Sequence, residues 1–511
     1  MQNVIRTNLV FKDYNPNQKL LLPPSLEELI DPNHPVRVVN QVVDNLNLQP
    51  ILAKYEGGGC PAYHPRMMLK VLVYGYLTNL YSSRKIEQAL QESIPFMWLS
   101  GMSYPDHNTL NRFRSDRLKG VLKEVFSQLV LLLIDHGHIT LTEAYLDGTK
   151  IEANANRYTF VWGRRIKTYK DKIKDQLKEL WAYAESVAKE ELGNQPFEFE
   201  QINAENVTQA VEQIDKALKG KEVDIQVKKK LSDVHRKWPE QLDRYEKQEE
   251  LLGNRSSYSR IDPDSTFMRM KEDHMRNGQL KPGYNWQVST QDQYILGYTL
   301  HQTTNDMSTL IGHMESLKNT LGQLPETLVT DAGYGSEKNY EYLEENNVNG
   351  YVQYSHYFND KKKKWKEDPH LVMNLHYNEE KDCFYCPMGQ PMTLVDQRYL
   401  EDKEGYKLFK KWYKAQRCDG CPMRGPCHDC KGDRVVQAAP KWSKYKSKVK
   451  ERLDSELGQY YIRKRRIDVE PVFGMIKNNR KYRRFLLRGL EKVEIEAGLL
   501  SMAHNLGKMA S

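Results

Sequence analysis

Two apolar segments that each carry an aspartate constrain the fold of this chain more than any other feature of its sequence. Residues 139–154 are rich in apolar and β-branched residues and hold Asp147 near their centre. Residues 327–336 begin as a short apolar run that ends at Asp331, and a glycine-rich turn leads to a plausible helix N-cap at Ser336. Although a single such aspartate is more often a turn residue, aspartates at the ends of buried strands lie where α/β proteins gather their chemistry. The pair therefore predicts a strand-borne site in an α/β domain.

The order of elements around these segments favours one mixed sheet. Residues 281–290 alternate like a strand and should pair with 294–303, and helices over 308–321 and 337–346 and a strand over 350–354 should follow. This gives the order β-β-β-α-β-α-β, in which the right-handed crossover rule permits parallel pairing of the two aspartate strands.

A third acidic residue lies among cations near the C-terminus. On a helix, Arg463, Arg466 and Lys477 would share a face with Glu470, because four and seven residues complete whole turns. Val469, Phe473 and Ile476 keep helical spacing on a neighbouring face suited to burial, whereas Pro471 predicts a kink. A carboxylate among cations suits metal binding beside a phosphate backbone. The alternative is an ordinary solvated basic helix with one ion pair.

Together these segments resemble the DDE transposases of bacterial insertion sequences, whose catalytic domain is ribonuclease H-like. The matching residues are Asp147, Asp331 and Glu470, the last within an Arg-x3-Glu-x6-Lys pattern. One branch has a tyrosine where this chain has Arg463. Residues 17–115 also look like the helical leader of this family, with Leu-Pro-Pro-Ser-Leu, His-Pro-Arg and Pro-Asp-His-Asn-Thr-Leu-Asn-Arg-Phe-Arg as its recognisable blocks.

The resemblance implies a metal-dependent transposase that cuts and joins DNA. Asp147, Asp331 and Glu470 would hold two Mg²⁺ ions, and Arg466 and Lys477 would contact phosphate. The implied partners are the transposon ends, the target DNA and a second copy of the chain in a synaptic homodimer. A nuclease with the same core that never joins ends, and a non-catalytic DNA-binding protein derived from a transposase, stay open as alternatives.

Positive charge is concentrated around the glutamate. Residues 441–492 hold 17 Lys and Arg against 6 Asp and Glu, whereas the net charge of the whole chain is +8. Such a local excess draws in nucleic acid by counterion release. The DNA-contacting residues expected here are Arg463, Arg466, Lys477, Arg480, Lys481, Arg483 and Arg484.

Six of the seven cysteines form three Cys-x2-Cys pairs between residues 383 and 430. Paired thiolates of this spacing predict a structural Zn²⁺, since disulfides are uncommon in a cytoplasmic protein. The family resemblance selects Cys386, Cys418, Cys421 and Cys427, with Cys383 and Cys430 as possible extras. The competing set is Cys383, Cys386, Cys418 and Cys421, and unligated reduced cysteines are the third possibility.

The chain also divides by composition. Residues 164–255 are rich in Lys and Glu and predict long exposed helices or a coiled coil. The expected fold is an α/β ribonuclease H-like core with a helical N-terminal domain, this charged helical insertion and a Cys-rich, zinc-ribbon-like insertion. The expected parts are a helical, DNA-binding region over 1–135, the first catalytic strand over 136–163, the insertion over 164–255, the core over 256–355, the Cys-rich insertion over 356–449, and the catalytic helix and basic segment over 450–511. A start that lacks a signal-peptide core, and the absence of a long apolar run, predict a cytoplasmic protein without a membrane partner.

Overall fold

The computed structural model describes residues 24–511, apart from 56–60, 189, 191, 193–201, 271–277 and 403. Cys60 and the start of the chain, including part of the leader segment, therefore lie outside the described residues.

The N-terminal region is helical. Two of its helices begin with a His-Pro pair, in which the histidine ring accepts from the backbone N–H two residues later: His34 from Val36 at 3.2 Å and His64 from Arg66 at 3.2 Å. Proline suits the first helical turn because it has no N–H to leave unpaired. The helices are α1 (Pro35–Asn45), α2 (Gln49–Leu52), α3 (Pro65–Leu77), α4 (Ser83–Glu92), α5 (Ile94–Ser100), α6 (His107–Arg112) and α7 (Leu122–Asp135), with a π-helical segment over Phe113–Arg117 between the last two.

The middle of the chain alternates strands and helices, and one long helical segment separates its first strands. The elements are β1 (Glu143–Glu152), β2 (Phe160–Trp162), α8 (Gly163–Ala188), α9 (Ala204–Ala217), α10 (Ile225–Leu252), β3 (Ser257–Ser259), β4 (Thr266–Arg269), β5 (Leu280–Gln291), β6 (Tyr294–His301), α11 (Leu310–Leu321), β7 (Thr327–Thr330), α12 (Glu337–Glu345) and β8 (Asn349–Val352).

A mixed sheet in the order β6-β5-β1-β7-β8 forms the centre, and β4 pairs with the start of β5 at the edge that β6 occupies further along. β1 is antiparallel to β5 and parallel to β7, which is in turn parallel to β8. This is the element order and the parallel pairing that the sequence predicts. The mixed α/β, ribonuclease H-like fold class is confirmed.

The helices α8, α9 and α10 pack on one another around a core of their own. Apolar side chains at helical spacing, such as Leu177, Ile214 and Leu242, are fully buried there. The Lys and Glu residues between them lie on the outer faces, so the charge of this segment is compatible with three long packed helices.

The segment after the central sheet forms a second, antiparallel sheet in the order β13-β12-β11-β10-β9. Its elements are α13 (Lys363–Lys366), β9 (Tyr377–Asn378), β10 (Cys383–Tyr385), β11 (Pro391–Glu401), β12 (Lys407–Ala415), α14 (Arg424–Cys427) and β13 (Val435–Ala438). It carries a small core around Met392, Tyr413 and Val436.

Three C-terminal helices return the chain to the central sheet: α15 (Pro440–Asp454), α16 (Glu456–Gly474), which continues as a π-helical segment over Met475–Asn479, and α17 (Leu490–Met509). α16 packs against β1, β5, β7 and β8. α17 is buried over most of its length and packs against β6, α7 and α3. The last helix therefore joins the N-terminal region to the central sheet.

A buried polar cluster marks that junction. The Glu496 side chain on α17 is fully buried and accepts from the Tyr76 hydroxyl at 3.1 Å and from the backbone N–H groups of Leu486 and Leu487 at 2.7 and 3.0 Å. Arg114 lies 3.8 Å from the same carboxylate and donates to the Tyr76 hydroxyl at 3.2 Å. Burial raises the pKa of Glu496, whereas Arg114 and these hydrogen bonds lower it. Arg114, the last residue of the predicted leader block, thus contacts both α3 and α17 and has a structural role at their junction.

Within the described residues, no helix is long and apolar enough to cross a membrane.

Candidate active site

Asp147 lies in the middle of β1, where its side chain is mostly buried. It pairs across the sheet with Val288 of β5, and its Oδ1 accepts from the Gly148 N–H at 2.7 Å. A carboxylate taken from water needs such donors or a cation, because burial penalises its charged form.

Asp331 follows β7 directly. Its Oδ1 accepts from the Gly333 N–H at 2.8 Å and so caps the short 3-10 turn over Ala332–Tyr334. Leu146 is the register partner of Thr330, so Asp147 and Asp331 follow paired positions on neighbouring parallel strands. The predicted cap at Ser336 is present, with its hydroxyl accepting from Asn339 N–H at 3.2 Å.

Glu470 lies near the end of α16, and its side chain is 54% exposed. Apolar residues around it, Val469 and Phe473, are buried against the sheet as their spacing predicts. Two further contacts fix the helix: the Lys464 ammonium pairs with Glu143 of β1, and the buried Asp468 carboxylate accepts from the Gln293 N–H at 3.3 Å. The helix therefore presents Glu470 at a defined place over the sheet.

Arg465 connects the helix carboxylate to the strand carboxylate. Its Nη1 lies 3.4 Å from Asp147 Oδ2, and its Nη2 lies 3.6 Å from Glu470 Oε1. Helical spacing assigns the neighbouring Arg466 to the Glu470 face, and both of these side chains are exposed. Arg465 is five residues before Glu470, a separation that the spacing of four and seven residues does not include.

A further carboxylate, Asp306, lies at the same place. Its Oδ1 accepts from the side-chain amides of Asn285 at 2.6 Å and Gln287 at 3.0 Å, both on β5. A Cβ atom built on Gly148 would lie 2.8 Å from that oxygen, and one on Gly333 would lie 3.8 Å from Asp306 Oδ2. Because Gly148 and Gly333 have no side chains, the Asp306 carboxylate can lie close to the backbone that follows Asp147 and Asp331. Its position just before α11 carried no signal in the sequence pattern.

The buried phenol of Tyr334 reports the charge of this cluster. Burial raises its pKa well above the ordinary value, and Asp147, Asp306 and Asp331 raise it further, whereas Arg465 lowers it. The hydroxyl donates to the Gln287 side-chain oxygen. Tyr334 therefore stays protonated at physiological pH and holds the amide that in turn donates to Asp306.

The cations predicted to contact DNA divide into exposed and buried groups. Arg463, Arg466, Lys481 and Arg483 are exposed, and Lys477 is buried in the π-helical segment. Arg480 is buried as well and donates to the carbonyls of Tyr76 at 3.5 Å and Ala503 at 3.1 Å. Its guanidinium therefore joins α3 to α17.

Arg484 belongs to a polar groove at the far end of β1. Its guanidinium donates to the carbonyls of Ala153 and Ala155, both at 3.1 Å, while Phe485 N–H donates to Glu152. The described residues that line this groove include four cations and one carboxylate, namely Arg157, Lys281, Arg484, Arg488 and Glu152. We call it the basic groove.

The donor chemistry of the carboxylate site fits a hard divalent cation. Asp147, Asp306, Asp331 and Glu470 offer only oxygen atoms, which Mg²⁺ prefers. Across the part of the chain that the structure describes, however, no group of three or more His, Cys, Asp or Glu side chains is arranged to hold a metal ion. Around Asp147 and Glu470, the Arg465 guanidinium instead lies beside the carboxylate oxygens.

Four of the six cysteines between residues 383 and 430 lie around one cavity. Cys386, Cys418, Cys421 and Cys427 line one small cavity, whose described lining does not include Cys383 or Cys430. The sulfur atoms of Cys386 and Cys418 each accept from a backbone N–H at 3.3 Å.

His428 lines the same cavity, and both of its ring nitrogens are buried without a hydrogen-bond partner among the described residues. The sequence pattern, which counted only cysteines, had missed this histidine.

Two family models match the chain, one at each end. The model described as Transposase DDE domain matches residues 385–510, and the model described as Transposase domain (DUF772) matches residues 24–116. Glu470 lies inside the first match, whereas Asp147 and Asp331 lie in the sheet between the two. No curated protein matches the chain. The two matches and the ribonuclease H-like sheet together support a DDE transposase of the insertion-sequence type, which implies a nucleic-acid-processing enzyme with DNA as its partner.

Proposed function

We propose that this transposase cleaves DNA at the ends of an insertion sequence and joins the freed ends to a target, with Asp147, Asp331 and Glu470 as its metal-binding triad. The observation that carries the proposal is the Arg465 guanidinium, which lies beside both Asp147 on β1 and Glu470 on α16. The family normally uses divalent metal ions, and these carboxylates offer the oxygen ligands that such ions take.

Each member of the triad has a distinct part in this proposal. Asp147 would help to hold both cations, while Asp331 and Glu470 would each hold one. When bound, two Mg²⁺ ions supply an activated water or 3′-hydroxyl for attack on the phosphodiester and stabilise the departing 3′-oxygen. The protonated Tyr334 keeps Gln287 in place, and Gln287 in turn donates to Asp306 beside the triad.

The exposed cations extend the site along the DNA. Arg463 and Arg466 on α16 and Lys481 and Arg483 after it would neutralise phosphates close to the cut, and the basic groove would hold the backbone further away. Asp147 and Glu152 are five residues apart on β1, so the groove lies roughly 17 Å beyond the triad along that strand. Lys477 is buried, so it would contact phosphate only where the DNA lies directly against the helix surface beside it.

A structural Zn²⁺ in the second sheet is a separate part of the proposal. The four cysteines that the family resemblance selects, Cys386, Cys418, Cys421 and Cys427, line one cavity together with His428, which offers a nitrogen donor. A metal would bind these cysteines in their thiolate form. Zinc analysis of protein purified without chelator, compared with Cys418→Ser plus Cys421→Ser, tests it. About one zinc per chain, lost in the double variant, is expected, and zinc-free wild-type protein would contradict the proposal.

The remaining parts concern assembly and DNA recognition. We propose that the N-terminal helical region over 1–135 contacts DNA, that two copies act together in the synaptic complex, and that the enzyme works in the cytoplasm. These parts rest on the family alone, since the contacts of the N-terminal helices described above are internal.

The deciding experiment is a cleavage assay on a duplex that carries the sequence flanking the coding region, with and without Mg²⁺. Asp147→Asn, Asp331→Asn and Glu470→Gln should each abolish cleavage while DNA binding is kept, because each removes a ligand charge and leaves the exposed cations. Glu451→Gln, an exposed residue on the neighbouring α15, is the matched control.

The products separate the alternatives. Joined strands support a transposase, cut strands alone support a nuclease, and binding without either product supports a non-catalytic DNA-binding protein. Mg²⁺-dependent cleavage that survives one of the three substitutions would remove that residue from the site.

A further inference from the structure

We propose that Arg465 is a built-in counter-ion of the active site, which pairs with the carboxylates before a divalent cation binds and then turns to the DNA phosphate. The inference rests on the proposed function of the triad and adds a residue that competes with the metal for it. Its basis is that one guanidinium lies 3.4 Å from Asp147 and 3.6 Å from Glu470.

The pair between Arg465 and Asp147 is sheltered from water. The two side chains are 12% and 11% exposed, in contrast to 54% for Glu470. Exposed ion pairs are weak because water and salt screen them, but a sheltered charge needs a partner. Whichever cation replaces Arg465 must therefore supply at least the same compensation to Asp147.

The charge of the surroundings explains why a cation is held there. Asp306 and Asp331 lie close to the Asp147 side of the cluster, and their combined field is seen at the Tyr334 phenol, where Arg465 opposes it. The neighbouring Lys464 does not share this task, because it pairs with Glu143 and lies 3.4 Å from Asp292 on another side of the helix.

Competition follows from the geometry. The guanidinium donors and a divalent cation require the same oxygens of Asp147 and Glu470, so both cannot occupy them fully. Lys464 and Asp468 fix α16 on either side of Arg465, and so a rotation of the arginine side chain can release it while the helix stays in place. A released guanidinium matches a phosphate in bidentate fashion, which suits the substrate that the bound metal attracts.

The test measures metal binding directly, with Mn²⁺ as the probe and calorimetry on the full-length protein without DNA. Arg465→Gln should bind Mn²⁺ about tenfold more tightly than the wild type, the effect of losing one charge-assisted competitor. Lys444→Gln, which removes a charge from an exposed position on α15, is the control and should leave the affinity unchanged. Arg465→Lys keeps the charge and should stay within about threefold of the wild type. Cleavage by Arg465→Gln at saturating Mn²⁺ and DNA should nevertheless fall.

A second readout uses the wild-type protein and so does not depend on a variant that folds. Modification of Arg465 by phenylglyoxal, followed by mass spectrometry, should increase when Mn²⁺ is added, because the guanidinium leaves its two carboxylates. Arg466 should react equally with and without the metal.

The outcomes are distinct. Unchanged or weaker Mn²⁺ binding by Arg465→Gln, or a modification rate of Arg465 that ignores the metal, would overturn the inference while the triad could still be sound. A wild-type protein that neither binds Mn²⁺ nor cuts DNA would instead refute the proposed function itself.

Discussion

Replacing Arg114 with Met should destabilise the protein by a specific, pH-dependent amount. The substitution leaves Glu496 fully buried next to α3 without its cation. Removing one partner of a buried pair typically costs roughly 3–5 kcal/mol. Glu496 keeps three donors, namely the Tyr76 hydroxyl and the N–H groups of Leu486 and Leu487, so we expect about 3 kcal/mol, the lower end of that range.

The pH dependence has a definite sign. Burial raises the pKa of Glu496 in the folded protein, and Arg114 lowers it, so the variant should have a still higher folded pKa. A carboxyl group whose folded pKa is raised favours folding when it is protonated, and that contribution is lost as the pH rises through the folded pKa. The difference between variant and wild type should therefore be largest at about pH 8 and shrink towards about pH 5.

Urea unfolding of the wild type and the variant at both pH values measures this difference. Arg112→Met, at an exposed position on the same helical segment, is the control and should change stability by less than about 0.5 kcal/mol. An equal loss at both pH values would show that Glu496 is not left as an uncompensated charge. A loss below about 1 kcal/mol would show that the Arg114 contact contributes little beyond an ordinary hydrogen bond.

Other parts of the molecule give further expectations. Asp306→Asn should reduce cleavage by about tenfold or more and weaken Mn²⁺ binding without loss of fold, as for a residue that supports metal ligands, and normal kinetics with normal affinity would exclude that part. Arg157→Gln plus Arg488→Gln, which remove two charges from the basic groove, should reduce the steepness of the plot of log K for DNA binding against log salt by about 2. An unchanged slope would mean that DNA does not reach the groove. Arg480→Ala should lower the unfolding midpoint because it breaks contacts to α3 and α17, whereas Arg483→Ala should weaken DNA binding only; the reverse pattern would contradict these assignments.

The central sheet could be predicted from sequence because its signals are local. Apolar alternation fixes the strands, Gly and Ser residues mark their ends, and the crossover rule limits how β1 and β7 can pair. Once β1 and β7 are predicted, the positions of Asp147 and Asp331 in the sheet follow directly.

The details around Glu470 could not be predicted in the same way. Ideal helical spacing pointed to Arg466, whereas the side chain that contacts the carboxylates is that of Arg465, because contact across a helix–sheet interface depends on the tilt of the helix and on side-chain length. Asp306 and His428 reach their places through tertiary packing between distant segments. A basic residue is equally ambiguous in sequence, as Arg480 illustrates: its charge suggests DNA, but its position makes it a structural link.

The burial of α17 against α3 also has a consequence for how the chain is made. The hydrogen bond between Tyr76 and Glu496 joins residues 420 positions apart. At a synthesis rate of about 5–20 residues per second, roughly 20–80 s pass between the appearance of the two partners. During that time the face of α3 that α17 will cover has no native partner, and α16, the helix that carries Glu470, has yet to be made. Completion of the N-terminal region and completion of the proposed active site thus both wait for the synthesis of α16 and α17, so a product truncated before them should lack both.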